Sequence, residues 1–283
     1  MNGLIPLQPV DYVVVGHLAV DVTPAGLRLG GTAAYSALTA RALGLRVGIV
    51  TSFGADAPLD ALNGIQIVSI PSEVSTTFEN IQTRDGRKQI LHHCASQLLF
   101  ERIPSVWRNA SILHVGPIAQ EIAFDWPNDI SADLIGLTPQ GLLRTWDEDG
   151  RVASCAWKEA VQTLPRIGAT VISREDVGGD EEQIEFFARY SRVLVVTEAA
   201  AGARLFWNGD QRRFRAPQVE EVDPIGAGDI FAAAFFIRLQ ATRDPWEAAR
   251  FATQLASYSV TRVGLEGIPT QEEIQTCSME VLS

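Results

Sequence analysis

The chain has 283 residues, of which 46% are hydrophobic and 20% charged, so it can bury a substantial core and is not generally disordered. Its formal net charge of −11 argues against nucleic acid or an anionic membrane as the main partner, because both attract basic surfaces. Three widely separated cysteines and an N-terminus without a signal-peptide pattern favour a reduced, cytoplasmic protein. The longest apolar stretch, residues 230–237, is far too short to span a membrane.

Short apolar strands alternate with helical patterns along the chain. The first strand is predicted at Tyr12–Val15, a small-residue helix follows over 31–43 with Gly44 as its terminator, and the next strand covers 47–51. Further strands are predicted at Ile112–Val115, Leu134–Leu137, Ala169–Ser173 and Val193–Thr197, and further helices over 230–239 and 246–261. This alternation favours an α/β fold, a mostly parallel doubly wound sheet covered on both faces, in one domain over residues 1–283.

One segment departs from this alternation. Two β-like runs, 76–83 and 87–93, flank Arg84, Asp85 and Gly86, and an Asp-Gly pair favours a tight hairpin. An antiparallel hairpin inserted into a parallel α/β chain often forms a lid or an edge. The sequence therefore predicts a lid over residues 76–93.

The segment with most chemical information is DPIGAGDIF, residues 223–231. Gly226 and Gly228 allow a tight turn and a close approach of the backbone to a ligand. Backbone amides of residues 226–229 would then lie at a helix N-terminus, which attracts anions. Asp229 beside that anion suits a base that accepts a proton from an attacking hydroxyl. The spacing alone fits equally well a carboxylate that only caps a core helix.

This segment resembles the second signature of the ribokinase-like (pfkB) carbohydrate kinases, D-T-x-G-A-G-D-x-F, with Pro224 in place of the usual Thr. The resemblance implies a three-layer ribokinase-like fold with a small β lid. It also implies that Asp229 is the catalytic base and that Gly226, Ala227 and Gly228 form the anion hole for the transferred phosphate.

Two N-terminal segments resemble the parts of the same family that bind the acceptor. Residues 16–21 resemble the first strand and the acid that holds acceptor hydroxyls, which implies this role for Asp21, although a solvated loop acid is an alternative. Residues 30–37 resemble G-G-x-x-x-N-x-A, which places Gly30 and Gly31 in the acceptor site. Tyr35 replaces the Asn of many members, either as a different acceptor contact or as a packing tyrosine. Only eight residues separate Asp21 from Gly30, so the lid is expected to depend mainly on 76–93, as in the myo-inositol-kinase-like branch.

Two further segments of the chain resemble the parts of the family that bind the nucleotide. Residues 195–202 resemble V-T-x-G-x-x-G, with Thr197 and Gly202 matching and Ala199 in place of the first Gly. Residues 173–176 align with N-x-x-E, so that Ser173 and Asp176 would belong to the phosphate and Mg²⁺ network, Asp176 through water. Residues 251–264 resemble the helix and loop that flank the adenine.

The resemblance implies a kinase that uses ATP and Mg²⁺ to phosphorylate a hydroxyl of a small neutral polyol, either a cyclitol such as myo-inositol or a sugar. The alternatives are a nucleoside or other sugar kinase of the family, or a member that binds nucleotide or sugar without turnover. A nicotinamide-dependent oxidoreductase is disfavoured because no G-x-G-x-x-G follows Val15. The implied partners are the polyol and the nucleotide, with no nucleic acid and no membrane, and a lid-mediated homodimer is open.

Overall fold

The computed structural model describes residues 6–83, 86–124 and 129–278. The strands are Tyr12–Val15 (β1), Ala19–Thr23 (β2), Gly26–Gly30 (β3), Val47–Phe53 (β4), Gln66–Pro71 (β5), Thr76–Thr83 (β6), Gly86–His93 (β7), Ile112–Val115 (β8), Leu134–Leu137 (β9), Arg144–Trp146 (β10), Val152–Ser154 (β11), Ala169–Ser173 (β12), Val193–Thr197 (β13), Ala203–Trp207 (β14) and Asp210–Phe214 (β15). The α-helices are Thr32–Ala42 (α1), Ala160–Thr163 (α2), Glu181–Tyr190 (α3), Ala227–Thr242 (α4), Pro245–Ser259 (α5) and Gln271–Ser278 (α6).

Nine of the described strands form one sheet in the order β15-β14-β13-β12-β9-β8-β1-β4-β5. The seven strands from β13 to β5 run parallel, while β14 and β15 pair antiparallel at one edge. Successive side chains of a strand point to opposite faces, so Tyr12 and Val14 enter a core shared with α1, α4 and α5, whereas Val13 and Val15 enter a second core that includes residues of α2 and α3. The predicted α/β sheet with helices on both faces is confirmed.

Helix α4 begins three residues earlier than its apolar pattern predicts. The pattern places the helix over 230–239, whereas α4 spans Ala227–Thr242 and starts directly after Gly226. The glycine-rich segment is therefore part of the helix start, so Gly228 and Asp229 lie in its first turn. This register decides which backbone amides face the site described below.

A second sheet of four strands, in the order β3-β2-β6-β7, is called the lid sheet below. The expectation that the lid depends mainly on residues 76–93 is wrong in extent, because β2 and β3 supply two of the four strands. Their short connection is closed by Thr23, whose hydroxyl donates to the carbonyl of Gly26 at 2.8 Å and accepts from the amide of Ala25 at 3.2 Å. Strands β6 and β7 pair antiparallel as predicted, and the turn residues Arg84 and Asp85 lie outside the described residues.

A short hairpin of β10 and β11 extends this lid and has no clear signal in the sequence. The amide of Leu91 in β7 donates to the carbonyl of Gly150 at 2.8 Å, and Ile90 pairs with Arg151. The hairpin thereby joins the lid sheet to the 3₁₀ helix of residues 140–143. Among the helices of the described ranges, none has the length and apolar character that crossing a membrane requires.

Candidate active site

A cavity of about 1190 Å³ lies where the lid sheet meets the carboxyl ends of the parallel strands. Ser173 and Thr197 are the last residues of β12 and β13, and the start of α4 lines the same cavity. In a doubly wound sheet this edge is where ligands usually bind. The predicted site residues that line the cavity are Asp21, Gly31, Tyr35, Ser173, Asp176, Thr197, Gly202, Gly226, Ala227, Gly228 and Asp229.

The start of α4 has the geometry of an anion site. Gly226 precedes the helix with φ of 81°, a left-handed conformation that disfavours any residue with a side chain. A Cβ added at Gly228 would meet no atom within 4 Å, so this position faces open space in the cavity. Amides of a first helical turn have no acceptor within the helix, and the helix dipole favours negative charge there. The amides of Gly228 and Asp229 are therefore suited to an anionic group.

Asp229 lies in this first turn with its carboxylate held by Thr32. The Thr32 hydroxyl donates to Oδ1 of Asp229 at 2.6 Å. Burial raises the pKa of Asp229 to about 6, the Thr32 hydrogen bond and the Arg144 guanidinium oppose this rise, and the charges of Asp176 and Asp21 add to it. A carboxyl with a pKa close to neutrality is suited to accept a proton from a hydroxyl at physiological pH.

The acceptor side is formed by β2, β3 and the start of α1. A Cβ at Gly30 would lie 2.1 Å from Oδ2 of Asp21, so Gly30 leaves room for this carboxylate without lining the cavity itself. Gly31 caps α1 with φ of 83°, where a Cβ would lie 3.1 Å from that of Ala19. A side chain at either position would crowd a neighbouring residue. Close packing at the cavity wall therefore explains both glycines of the Gly-Gly pair.

Tyr35 packs beneath the glycine-rich segment. Its side chain is only 2% exposed, and a Cβ at Gly226 would lie 2.2 Å from its ring. Burial and the neighbouring charges of Asp21 and Asp229 raise the pKa of the Tyr35 phenol, so it stays protonated. The geometry favours the packing alternative for this residue, although Tyr35 still reaches the cavity wall.

The donor side contains the predicted Ser173, Asp176, Thr197 and Gly202. Ser173 and Asp176 form a capping box, in which Asp176 Oδ2 accepts from the amide of Ser173 at 2.8 Å and its Oδ1 accepts from Nε2 of Gln140 at 3.2 Å. Burial raises the pKa of Asp176, and the Arg144 guanidinium opposes this rise. Gly202 has φ of 96°, and a Cβ there would lie 1.9 Å from the carbonyl oxygen of Phe214, so its role in the turn is steric.

Two cavity residues are not indicated by the sequence. Arg144, at the start of β10, lines the cavity, and its positive charge lowers the pKa of both Asp176 and Asp229. Thr32 directly follows the Gly-Gly pair, a position that varies within the family pattern. Arg144 lies in a strand of three residues, which is too short to show a sequence pattern. The sequence therefore could not indicate its effect on Asp176 or Asp229.

The carboxyls on the donor side fit a water-mediated Mg²⁺ better than a closed metal site. Across residues 6–83, 86–124 and 129–278, no three His, Cys, Asp or Glu side chains are grouped as metal ligands. Asp176 and Glu175 both line the cavity, and Mg²⁺ is commonly held by one or two carboxylates together with water and substrate phosphates. The donor set is therefore compatible with an ion that depends on a phosphate ligand.

Comparisons with known proteins match this chain to carbohydrate and nucleoside kinases. Residues 175–271 match the family described as pfkB family carbohydrate kinase. A cytidine kinase from Thermococcus kodakarensis is 27% identical over 268 residues, which cover 87% of this chain and 94% of that protein.

Two solved structures show the same fold. A pyrophosphate-dependent kinase in the ribokinase family, complexed with a pyrophosphate analog and myo-inositol, superposes with a TM-score of 0.75 at 18% identity and covers 94% of this chain and 99% of its own. A ribokinase from Arabidopsis thaliana, complexed with ribose and ATP, gives a TM-score of 0.70 at 19% identity and covers 96% of this chain and 100% of its own. Residues 175–271 therefore form a segment similar to the pfkB family of carbohydrate kinases, and the chain as a whole has the fold of structures in the ribokinase family.

Proposed function

We propose that this protein is an ATP-dependent kinase that transfers the γ-phosphoryl group to a hydroxyl of a small neutral polyol, either a cyclitol such as myo-inositol or a sugar. The observation that carries the proposal is the position of Asp229, a carboxyl with a pKa of about 6 in the first turn of α4, beside amides suited to an anion. The same cavity extends from Asp21 on the lid side to Thr197 on the donor side.

The proposed reaction is an in-line displacement. An acceptor hydroxyl next to Asp229 gives its proton to the carboxylate, its oxygen forms a bond to the γ-phosphorus, and the bond from that phosphorus to the β–γ bridging oxygen breaks, which releases ADP. The amides at the start of α4 and the guanidinium of Arg144 stabilise the negative charge on the transferring group. Asp21 orients the acceptor, since a carboxylate accepts hydrogen bonds from two neighbouring hydroxyls.

Asp176 would hold Mg²⁺ through water, with Glu175 as a second cavity carboxylate. Such an ion neutralises part of the charge of the donor phosphates when it is bound. The carboxylate of Asp176 is already oriented by the Ser173 amide and by Gln140, so it presents a fixed negative charge to the donor side.

An apolar wall on the donor side supports a nucleotide rather than pyrophosphate as the donor. Val219, Ile225, Ala256 and Val260 line this end of the cavity. The amides of residues 222 and 223 donate to the carbonyl of Val260 at 2.7 and 3.0 Å, so the segment before α4 packs against the end of α5. An apolar wall matches the face of an adenine, whereas pyrophosphate gains nothing from it.

A nucleoside acceptor is the second candidate. Phe78 and Ile118 belong to one apolar cluster beside the acceptor end of the cavity, which could cover the face of a flat base. The full-length similarity to a cytidine kinase favours the same candidate. A cyclitol, which carries polar groups around its ring, would use Asp21 and leave this apolar surface largely uncovered.

The test is an ADP-release assay with ATP and Mg²⁺ across inositols, hexoses, pentoses and nucleosides, repeated with pyrophosphate as the donor and phosphate release as the signal. We expect a neutral cyclitol or sugar to give the highest kcat/KM with ATP. Asp21→Ala should raise the acceptor KM by about tenfold or more and leave the KM for ATP almost unchanged, because hydrogen bonds to a charged group are worth roughly 1.5–3 kcal/mol. Faster turnover of a nucleoside would favour the second candidate, and no ADP release with any acceptor would refute the kinase proposal.

A further inference from the structure

We propose that Thr32 is a positioning residue, whose hydroxyl fixes the orientation of the Asp229 carboxylate and keeps it ready to accept a proton. This inference rests on the proposed function of Asp229 as a base. Thr32 occupies the variable position after the Gly-Gly pair, and no motif specifies a role for it.

Helix α1 contacts the start of α4 through Thr32. Thr32 is the first residue of α1 and only 1% exposed, and its hydroxyl donates to Oδ1 of Asp229 at 2.6 Å across 197 residues of sequence. One turn further along α1, the Ser36 hydroxyl donates to the main-chain carbonyl of Asp229 at 3.4 Å. Helix α1 thus contacts both the side chain and the backbone of Asp229, which leaves the other carboxylate oxygen for a substrate.

Close packing against Gly116 holds Thr32 in place. Gly116 follows β8, and a Cβ at this position would lie 2.5 Å from Cγ2 of Thr32. The backbone of Gly116 is tied to the sheet, because its amide donates to the carbonyl of Val15 at 2.8 Å. The absence of a side chain at position 116 therefore lets Thr32 pack close to the sheet, in the rotamer that reaches Asp229.

The groups around Asp229 shift its pKa in both directions. Burial, Asp176 and Asp21 favour the protonated carboxyl, while Arg144 and the Thr32 hydrogen bond favour the carboxylate. Burial and the charge of Asp229 raise the pKa of the Tyr12 and Tyr35 phenols, so both stay neutral. Loss of the Thr32 hydroxyl removes one of the two groups that favour the ionised base, so the pKa of Asp229 must rise.

The experiment measures the pKa of Asp229 directly, by ¹³C NMR titration of its carboxyl carbon, in wild type and in Thr32→Val, Thr32→Ala and Thr32→Ser. Assignment comes from the signal that Asp229→Asn removes. Hydrogen bonds to charged groups predict a rise of about one pH unit in the Val and Ala variants and little change in the Ser variant, which keeps the hydroxyl. Thr39→Val is the matched control, because Thr39 is buried on the same helix and its hydroxyl has no hydrogen-bond partner among the described residues.

The pH profile of kcat/KM supplies the second readout. The acid limb should move to higher pH in Thr32→Val and Thr32→Ala by the same amount as the titration, with activity recovered at high pH and the KM for ATP unchanged. An unchanged Asp229 pKa in both variants would overturn the inference. Failure of the kinase proposal is distinguishable, because it would abolish turnover in wild type while the carboxyl titration still reports on Thr32.

Discussion

The Asp229 carboxyl is buried and near two other acids, yet it also accepts a hydrogen bond from Thr32 and lies within the field of Arg144. Each influence alone would give either a permanently neutral acid or an unreactive carboxylate. Their balance leaves the pKa at about 6, which is high enough for useful basicity and low enough for ionisation at neutral pH. The catalytic proposal therefore depends on the balance between four side chains around Asp229, which are Asp21, Thr32, Arg144 and Asp176.

Asp229→Asn should lower kcat by about 10² to 10⁴-fold, because the amide cannot accept the hydroxyl proton, and general-base catalysis typically contributes that much. The fold and the nucleotide affinity should persist, since an Asn oxygen can still accept from Thr32. Steady-state kinetics and ATP titration calorimetry would measure the two effects. Asp210→Asn, an exposed acid of β15 outside the cavity, is the control, and nearly wild-type turnover of Asp229→Asn would remove Asp229 from the mechanism.

At the scale of elements, the two glycines at the start of α4 have different structural roles. Gly226 has a left-handed backbone and contacts the Tyr35 ring, whereas Gly228 has an open side towards the cavity. The motif alone implied the same role for both glycines in the anion hole. The structure separates a glycine that the turn requires from one that leaves space for a ligand.

Gly226→Ala should destabilise the protein by more than the roughly 1–2 kcal/mol that a left-handed residue costs, because its Cβ also collides with Tyr35. Gly209→Ala is the matched control, since Gly209 has φ of 83° with nothing within 4 Å of its Cβ and should show the backbone cost alone. Gly228→Val should keep most of the stability and instead lower kcat or raise the KM for ATP. Urea denaturation and kinetics would separate the three variants, and equal stability losses at 226 and 209 would contradict the role of Tyr35.

The sequence predicts the buried elements well and the contacts between them poorly. β8, β9, β12 and β13 have the predicted bounds, because each is a short apolar run that ends at a small or polar residue. β10 and β11 have three residues each, too few to show a period, and they are defined by their antiparallel pairing with each other. The motif indicated Asp229, but its bond to Thr32 depends on the packing of α1 against α4, which neither local pattern contains.

At the scale of the molecule, the lid and the main sheet are joined by a buried carboxylate far from any motif. Glu121 is 1% exposed and accepts hydrogen bonds from the amides of His17, Ile118 and Ala119 at 2.7 to 3.1 Å. These amides belong to the connection between β1 and β2 and to the segment after β8. Glu121 therefore ties the connection before β2 to the segment after β8, and these two parts of the chain reach the cavity through Ala19 and Ile118.

The burial of Asp229 also has a consequence for the stability of the whole protein. A group whose folded pKa of about 6 exceeds its ordinary value of 3.8 costs stability wherever it is ionised, so this cost is absent below pH 4, grows between pH 4 and 6 and levels off above that. Asp229→Asn should therefore be more stable than wild type by about 1–3 kcal/mol at pH 7 to 8, since raising a pKa by one pH unit on folding costs about 1.4 kcal/mol, and the difference should vanish near pH 4. Urea denaturation of both proteins at pH 4, 5, 6 and 8 would measure it, with Asp210→Asn expected to match wild type at every pH. A stability difference that does not grow between pH 4 and 6 would mean that the Asp229 pKa is not raised, and the base proposed for catalysis would then be an ordinary carboxylate.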